Sequence, residues 1–186
     1  MTTFSVHTQD SAPEDAHEVL KKARNNFGFI PNLLGVLAEA PVAAEAYLSM
    51  IDLCRRSSMT PTERHVTWFA VNDVHECQYC MAAHTAVARL EEIPEAVIEA
   101  ARNGTTYHDE RLQILREFTQ NVVNQRGVIP PEAVTQFLDA GFTQKHVLEI
   151  IVFVSTKVLS NYTNHIAGTP LDQEFSACEW KKPNEV

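Results

Sequence analysis

Glu76-Cys77-Gln78-Tyr79-Cys80-Met81-Ala82-Ala83-His84 is the stretch that decides how this chain is read. Two cysteines sit three apart, and a histidine follows the second by four. At about 100° per residue, a helix puts Cys77, Cys80 and His84 on one face, one above another. A base then stands beside one thiol, with a second thiol within bridging distance. Thiol–disulfide redox chemistry needs that arrangement. The remaining segments read as helices that hold the trio.

Immediately upstream, Thr60-Pro61-Thr62-Glu63 is a strong helix start, with a capping threonine, a proline at the first position and a glutamate at the third. That helix carries Val66, Phe69, Ala70 and Val71 and runs to about His75. The cysteine helix follows at once and continues through Leu90. Before them, Ser11-Ala12-Pro13-Glu14 has capping-box spacing ahead of a helix ending near Asn25–Gly28. A short helix spans Leu33–Ala38, and Pro41 opens another with a Tyr47, Leu48, Ile51, Cys54 stripe. Downstream, helices are predicted from Pro94 to Asn103-Gly104, over about Asp109–Gln125, and from Pro131 to Gly141. Thr143 caps a last long helix through about His165, with Val147, Leu148, Ile151, Val154 and Val158 inward. The β-branched run Ile150–Val154 lies inside that helical period. The expected fold is all-α, a single domain with a core over about 13–168 and a tail or arm over 169–186.

The charges, 15 basic against 24 acidic, sum to −9. A nucleic-acid backbone is therefore not an expected partner. No apolar run approaches the roughly 18 residues of a membrane span, and residues 1–12 lack a signal pattern. The expected location is cytoplasmic, where a Cys-x-x-Cys pair is catalytic or metal-binding more often than a structural staple. Cys54 and Cys178 stand alone and read as a packed thiol and a tail thiol.

Three readings of the trio compete. The first is a redox thiol pair. The second is a zinc site on Cys77, Cys80 and His84, with His65 or His75 to complete it; no second Cys-x-x-Cys or histidine pair supplies the usual fourth ligand. The third is two small buried residues without chemistry. Placement favours the first. Cys77 is expected in the first helical turn, where unpaired amides favour a thiolate. His84, one turn past Cys80, is placed to take its proton. One thiolate then attacks, and its neighbour closes a disulfide on the sulfenic acid.

Thr60-Pro61-x-Glu63-Arg64 followed by Cys77-x-Tyr79-Cys80-x-x-Ala83-His84 resembles the alkylhydroperoxidase D-like family of the carboxymuconolactone decarboxylase superfamily. Gly127-Val128-Ile129, Ala140-Gly141-Phe142-Thr143 and Asn161-Tyr162-Thr163-Asn164-His165 before Thr169-Pro170-Leu171-Asp172 resemble its peroxidase-related branch. The likeness covers about residues 15–175. It implies an all-α fold, homo-oligomers built by packing helices between subunits, and reduction of a hydroperoxide substrate by the thiol pair. It implies that Cys80 is peroxidatic, that Cys77 resolves, and that His84 is the partner histidine. An external thiol or dithiol would restore the pair, with no metal or organic cofactor required. A non-catalytic redox sensor and a decarboxylase-type enzyme are the alternatives.

In one place the chain departs from that pattern. The family's relay glutamate lies twelve residues before the first cysteine, and here that position is His65. Glu63 is two residues away, rotated by about 200°, and it has a sufficient role as partner of Thr60. His65 is therefore the expected relay residue. It can take a proton but holds no fixed negative charge. Tyr79 is expected to pack away from the thiols or to line a substrate channel. His75 is expected to shape the helix junction, and Asn161 with His165 to lie on a helix surface or subunit contact.

Overall fold

Thr60 begins the central helix as its sequence dictates. Its hydroxyl accepts from the Glu63 amide at 3.3 Å, and the Glu63 carboxylate accepts from the Thr60 amide at 2.7 Å. The helix that follows, Pro61–Val74, is buried over most of its surface, from Glu63 and His65 through Phe69 to Asn72. Other helices pack around it. In order, the computed structural model, which describes residues 4–183, has α1 His17–Phe27, α2 Asn32–Leu37, α3 Pro41–Arg55, α4 Pro61–Val74, α5 Gln78–Leu90, α6 Glu95–Asn103, α7 Glu110–Asn124, α8 Pro131–Asp139 and α9 Gln144–Ala167. Short 3-10 segments cover Glu14–Ala16 and Gln173–Cys178. No strand occurs among the described residues, so the fold is all-α.

α4 packs against α5, α6, α7 and α9. On the far side, Phe137 stacks between Phe118 and Phe142, at 4.1 and 4.3 Å, and seats α8 on α7. α5 is joined to α4 by a tight hinge. The Cys77 amide reaches back to the Asn72 carbonyl at 3.0 Å, and the Glu76 amide to that of Asp73 at 3.1 Å. Glu76 has φ 53°, the left-handed conformation that closes such a helix end. Cys77 is fixed by this motif at the end of one helix and the start of the next.

Three expectations are corrected. Cys77 is the N-cap of α5, with ψ 95°, and not a first-turn residue. No capping box forms at Ser11: the first turn starts at Glu14 behind Pro13, and the Ser11 hydroxyl accepts instead from the Thr8 amide at 2.9 Å. α9 is rotated from the expected setting, although Val147 and Val154 do pack partly buried against the core. Leu148 is 66% exposed and Ile151 is also exposed, while Ile150, Phe153, Thr156, Lys157, Ser160, Asn161 and Asn164 are buried. The segment after α9 lies against α5, with Phe175, Cys178 and Trp180 buried.

Candidate active site

The inward face of α9 explains its polarity. Lys157, Ser160, Asn161 and Asn164 recur at helical spacing and stand opposite the cysteine helix. Asn164 Nδ2 lies 3.2 Å from the Cys80 sulfur and 3.9 Å from that of Cys77. The Ser160 hydroxyl is 3.8 Å from Cys80 Sγ. Asn161 donates to Asn72 Oδ1 at 3.1 Å and accepts from His75 Nδ1 at 2.9 Å. Asn72 in turn donates to the Cys80 carbonyl at 3.3 Å. Buried amides therefore lock the two helices in register around the thiols.

Both cysteines are free thiols and both are buried. They differ in charge preference. Burial opposes ionisation of Cys80, but the hydrogen bond from Cys77, the Lys157 charge, and bonds with Ser160 and Lys157 outweigh it. Its pKa falls well below the ordinary thiol value. The same hydrogen bond, with burial and the Cys80 charge, pushes Cys77 up. These directions favour one thiolate, on Cys80, beside one thiol, on Cys77.

His84 does not hydrogen-bond Cys80 as its spacing predicts. Its Nε2 is 2.9 Å from Lys157 Nζ. An ammonium has only donors, so Nε2 accepts and the proton of the ring sits on Nδ1. Burial, then the charges of Lys157, His65 and Arg55, hold His84 neutral, well below the usual histidine range. Trp68 lies against the ring at 4.9 Å. His65 is also buried, and burial lowers its pKa despite a 3.1 Å bond from Nε2 to Glu91 Oε2. That bond leaves His65 Nδ1 as an acceptor. Neither His84 Nδ1 nor His65 Nδ1 has a protein partner, and the ring centroids are 6.4 Å apart. Glu63 points elsewhere: it is held by Thr60 and paired with Arg111. His75 is the C-cap of α4 and bonds to Asn161, which lies in the buried network and not on a surface.

A cavity of about 60 Å³ lies beside the site, walled by Phe27, Leu34, Ile51 and Phe175 and floored by Trp68, Tyr79 and His84. Neither Cys77 nor Cys80 lines this cavity. Tyr79 donates to Asp172 Oδ2 at 2.5 Å and accepts from the Leu33 amide at 3.2 Å. The zinc reading of Cys77, Cys80 and His84 would set a metal ion beside the Lys157 ammonium, which lies 2.9 Å from His84 Nε2. No group of three such ligands assembles among the described residues.

Sequence reasoning missed Lys157, Ser160, Asn164, Asn72, Glu91 and Asp172. Its available signal was the polar series 157, 160, 161, 164 inside an otherwise apolar helix.

No family model matches this sequence, and no curated protein matches it. Solved structures do match. An uncharacterized peroxidase-related protein from Ralstonia eutropha JMP134, described as an alkylhydroperoxidase AhpD core, superposes with TM-score 0.80 at 22% identity, over 94% of each chain. A peroxidase-related protein from Silicibacter sp. TM1040 gives 0.78 at 18%, over 94% of this chain and 93% of that one. The debrominase Bmp8, as a Cys→Ala variant in complex with 2,3,4-tribromopyrrole, gives 0.77 at 15%, over 96% of each. This chain has the AhpD-like fold.

Proposed function

We propose that this AhpD-like chain is a thiol-dependent peroxidase that reduces a hydroperoxide through Cys80 and Cys77. The observation that carries the reading is the buried Cys77–Cys80 pair faced by polar groups of α9, with Asn164 Nδ2 at 3.2 Å and Ser160 Oγ at 3.8 Å from the Cys80 sulfur; these surroundings favour the anion on Cys80 and the proton on Cys77. The Cys80 thiolate attacks the distal peroxide oxygen, breaks the O–O bond and becomes a sulfenic acid. Cys77 then displaces water and closes the disulfide. An external thiol or dithiol returns the pair to its reduced form. His84 acts on Cys80 through the Lys157 ammonium that it holds, and His65, tied to Glu91, stands behind His84. The two electrons come from the thiols, so the cycle calls on no metal or organic cofactor. A cytoplasmic setting, which keeps thiols reduced, suits it.

A homo-oligomer completes the reading. Leu148, Ile151, Tyr162 and Ile166 expose an apolar stripe on the outer side of α9, with Ile166 70% exposed. A groove of about 480 Å³ runs between that stripe and α2. A surface of this kind suits burial against a second copy.

Stopped-flow oxidation of the reduced protein by hydrogen peroxide and by organic hydroperoxides of increasing size tests the function, with thiols counted before and after. Two thiols lost per peroxide is the expected result, fastest for peroxides small enough for the cavity. The series includes 2,3,4-tribromopyrrole, since two thiols also supply the two electrons that replace C–Br by C–H. Loss of thiols to the bromopyrrole alone would replace the peroxidase reading. The burial of both sulfurs off the cavity wall favours a redox sensor as second reading. A sensor would oxidise once without turning over when a dithiol is supplied.

A further inference from the structure

Lys157 is a buried cation without a carboxylate. It is fully buried, and its Nζ donates to a neutral His84. Among the described residues no Asp or Glu oxygen lies within 4.0 Å of it. The titratable groups that feel its charge are Cys77 at the N-cap of α5, Cys80 and His84 on α5, His75 at the end of α4 and Cys54 on α3; Tyr47 in turn faces the cysteines, and His65 and Arg55 face His84. Of those able to become anions, Tyr47 and Cys54 are pushed up by burial, and Cys77 by its bond to Cys80. A buried charge persists only when paired. Cys80 is placed for that role: it lies one turn before the His84 that holds Nζ at 2.9 Å, and its sulfur is 3.8 Å from Ser160, one turn after Lys157.

We propose that Lys157 is the counter-ion of the Cys80 thiolate and the acid that protonates the leaving oxygen when Cys80 reduces a hydroperoxide, an assignment that rests on the peroxidase reading for its second half. The thiolate takes the distal oxygen, the O–O bond breaks, and Lys157 gives one proton to the departing alkoxide. Products at that point are the Cys80 sulfenic acid, an alcohol and a neutral Lys157 amine. The Cys77 thiol then attacks the sulfenic sulfur. Its proton leaves with the hydroxyl as water, and the disulfide forms. Proton and charge counts balance within the site: Cys77–SH, Cys80–S⁻, Lys157–NH₃⁺ and ROOH become the disulfide, Lys157–NH₂, ROH and water. Reduction by a dithiol returns two protons, one to Cys77 and one to Lys157. The cation thus exists only while its anion does, and neither redox state buries an unpaired charge.

Two measurements on the full-length protein test this together. The first is thiolate content, from ultraviolet absorbance and from iodoacetamide labelling of Cys80 mapped by peptide mass, across pH. The second is proton exchange with a weakly buffered indicator during oxidation by hydrogen peroxide. The parent should show a thiolate at neutral pH and yet take up no proton. Lys157→Met should lower neutral-pH labelling of Cys80 by about tenfold or more, the change expected for at least one unit of pKa. Lys157→Arg keeps the charge but cannot release a proton. It should keep the thiolate, react more slowly, and take up one proton per peroxide. It also keeps the proposal testable if the methionine variant does not fold. Unchanged labelling in Lys157→Met overturns the counter-ion, and uptake of one proton per peroxide by the parent overturns the acid. A Lys157-dependent thiolate in a protein inert to every hydroperoxide supports the ion pair and overturns the peroxidase reading instead.

Discussion

Tyr79 and Asp172 are joined by a 2.5 Å hydrogen bond that ties the cysteine helix to the segment after α9. The same carboxylate accepts from the Asn32 amide at 2.9 Å, at the start of α2. Three separated parts of the chain therefore meet at one buried group beside the cavity. Burial raises the Asp172 pKa, and burial with the Asp172 charge raises that of Tyr79, so the phenol remains the donor.

Removing the phenol should loosen this joint. Tyr79→Phe leaves the Asp172 carboxylate and the Leu33 amide short of a partner, at a cost of about 1–3 kcal/mol. Urea unfolding should register that loss, and limited proteolysis should cut sooner within residues 169–183. An unchanged digestion pattern in a destabilised Tyr79→Phe would mean that the tie does not hold the arm.

Acid should weaken the fold early. His65, His75 and His84 all titrate below the usual histidine value, and burial is the first cause in each. The native state thus binds fewer protons than the unfolded chain once pH drops below about 6.5. Stability is full above that pH and is lost as pH falls toward the folded values, by up to about 1.4 kcal/mol per pH unit for each ring. Unfolding free energies measured between neutral and mildly acidic pH should show this slope, and His75→Asn should flatten it. A profile flat down to the carboxylate range would show the rings to be protonated in the native state.

Glu63 and His65 should separate cleanly. Glu63→Ala removes half of a capping box and the partner of Arg111. It should cost roughly 1–2 kcal/mol of stability while Cys80 labelling stays as in the parent. His65→Ala removes the ring that stands between Glu91 and His84. It should slow Cys80 oxidation near neutral pH with little change in far-ultraviolet circular dichroism. The opposite pattern, a folded but inactive Glu63→Ala beside a normal His65→Ala, would return the relay to the glutamate.

Most of the helical frame was legible because its ends are written in local chemistry. Thr60, Pro61 and Glu63 begin α4 wherever that helix is later packed, and Asp109 caps α7 by accepting from the amides of Arg111 and Leu112. Ser11 failed as a cap because its hydroxyl was taken by the Thr8 amide, a competitor that spacing does not reveal. The cysteines and His84 were visible as a motif, whereas their polar partners were not. Periodicity marks a stripe but not the direction it faces. In α9 the apolar stripe through Leu148 and Ile151 points outward, and the polar one through Lys157 and Asn164 faces the thiols. An apolar face turned outward is what the proposed homo-oligomer would cover, and a single sequence does not display such a partner.

That outer face makes its own prediction. Ile166→Lys and Leu148→Glu introduce charges on an exposed stripe, so the isolated chain should tolerate them within about 0.5 kcal/mol. In an oligomer closed by α9 they should shift sedimentation toward the monomer. If the double variant sediments like the parent, association uses another surface; if the parent is itself a monomer, the homo-oligomer is excluded.

The roles of the two sulfurs can be exchanged by only a few variants. Cys77 at an N-cap keeps the general advantage of a helix start, a dipole effect of about 0.3–1 kcal/mol. A hydrogen bond to a charged group contributes roughly 1.5–3 kcal/mol, and Cys80 has the Lys157 ammonium together with the Asn164 amide at 3.2 Å. The larger effect should decide, so under the proposed function Cys80 is the sulfur expected to attack. Cys77→Ser should consume one equivalent of peroxide and stop at a sulfenic acid that dimedone traps on Cys80. Its rate should fall somewhat, because the Cys77 hydrogen bond is one of the groups that favour the Cys80 thiolate, and a serine hydroxyl restores it in part. Cys80→Ser should consume almost none, since Cys77 is left buried and protonated. Trapping on Cys77 in Cys80→Ser, at a rate near that of the parent, would exchange the two assignments. Peroxide consumption that survives both single changes would remove the pair from the peroxide site and move the sensor reading ahead.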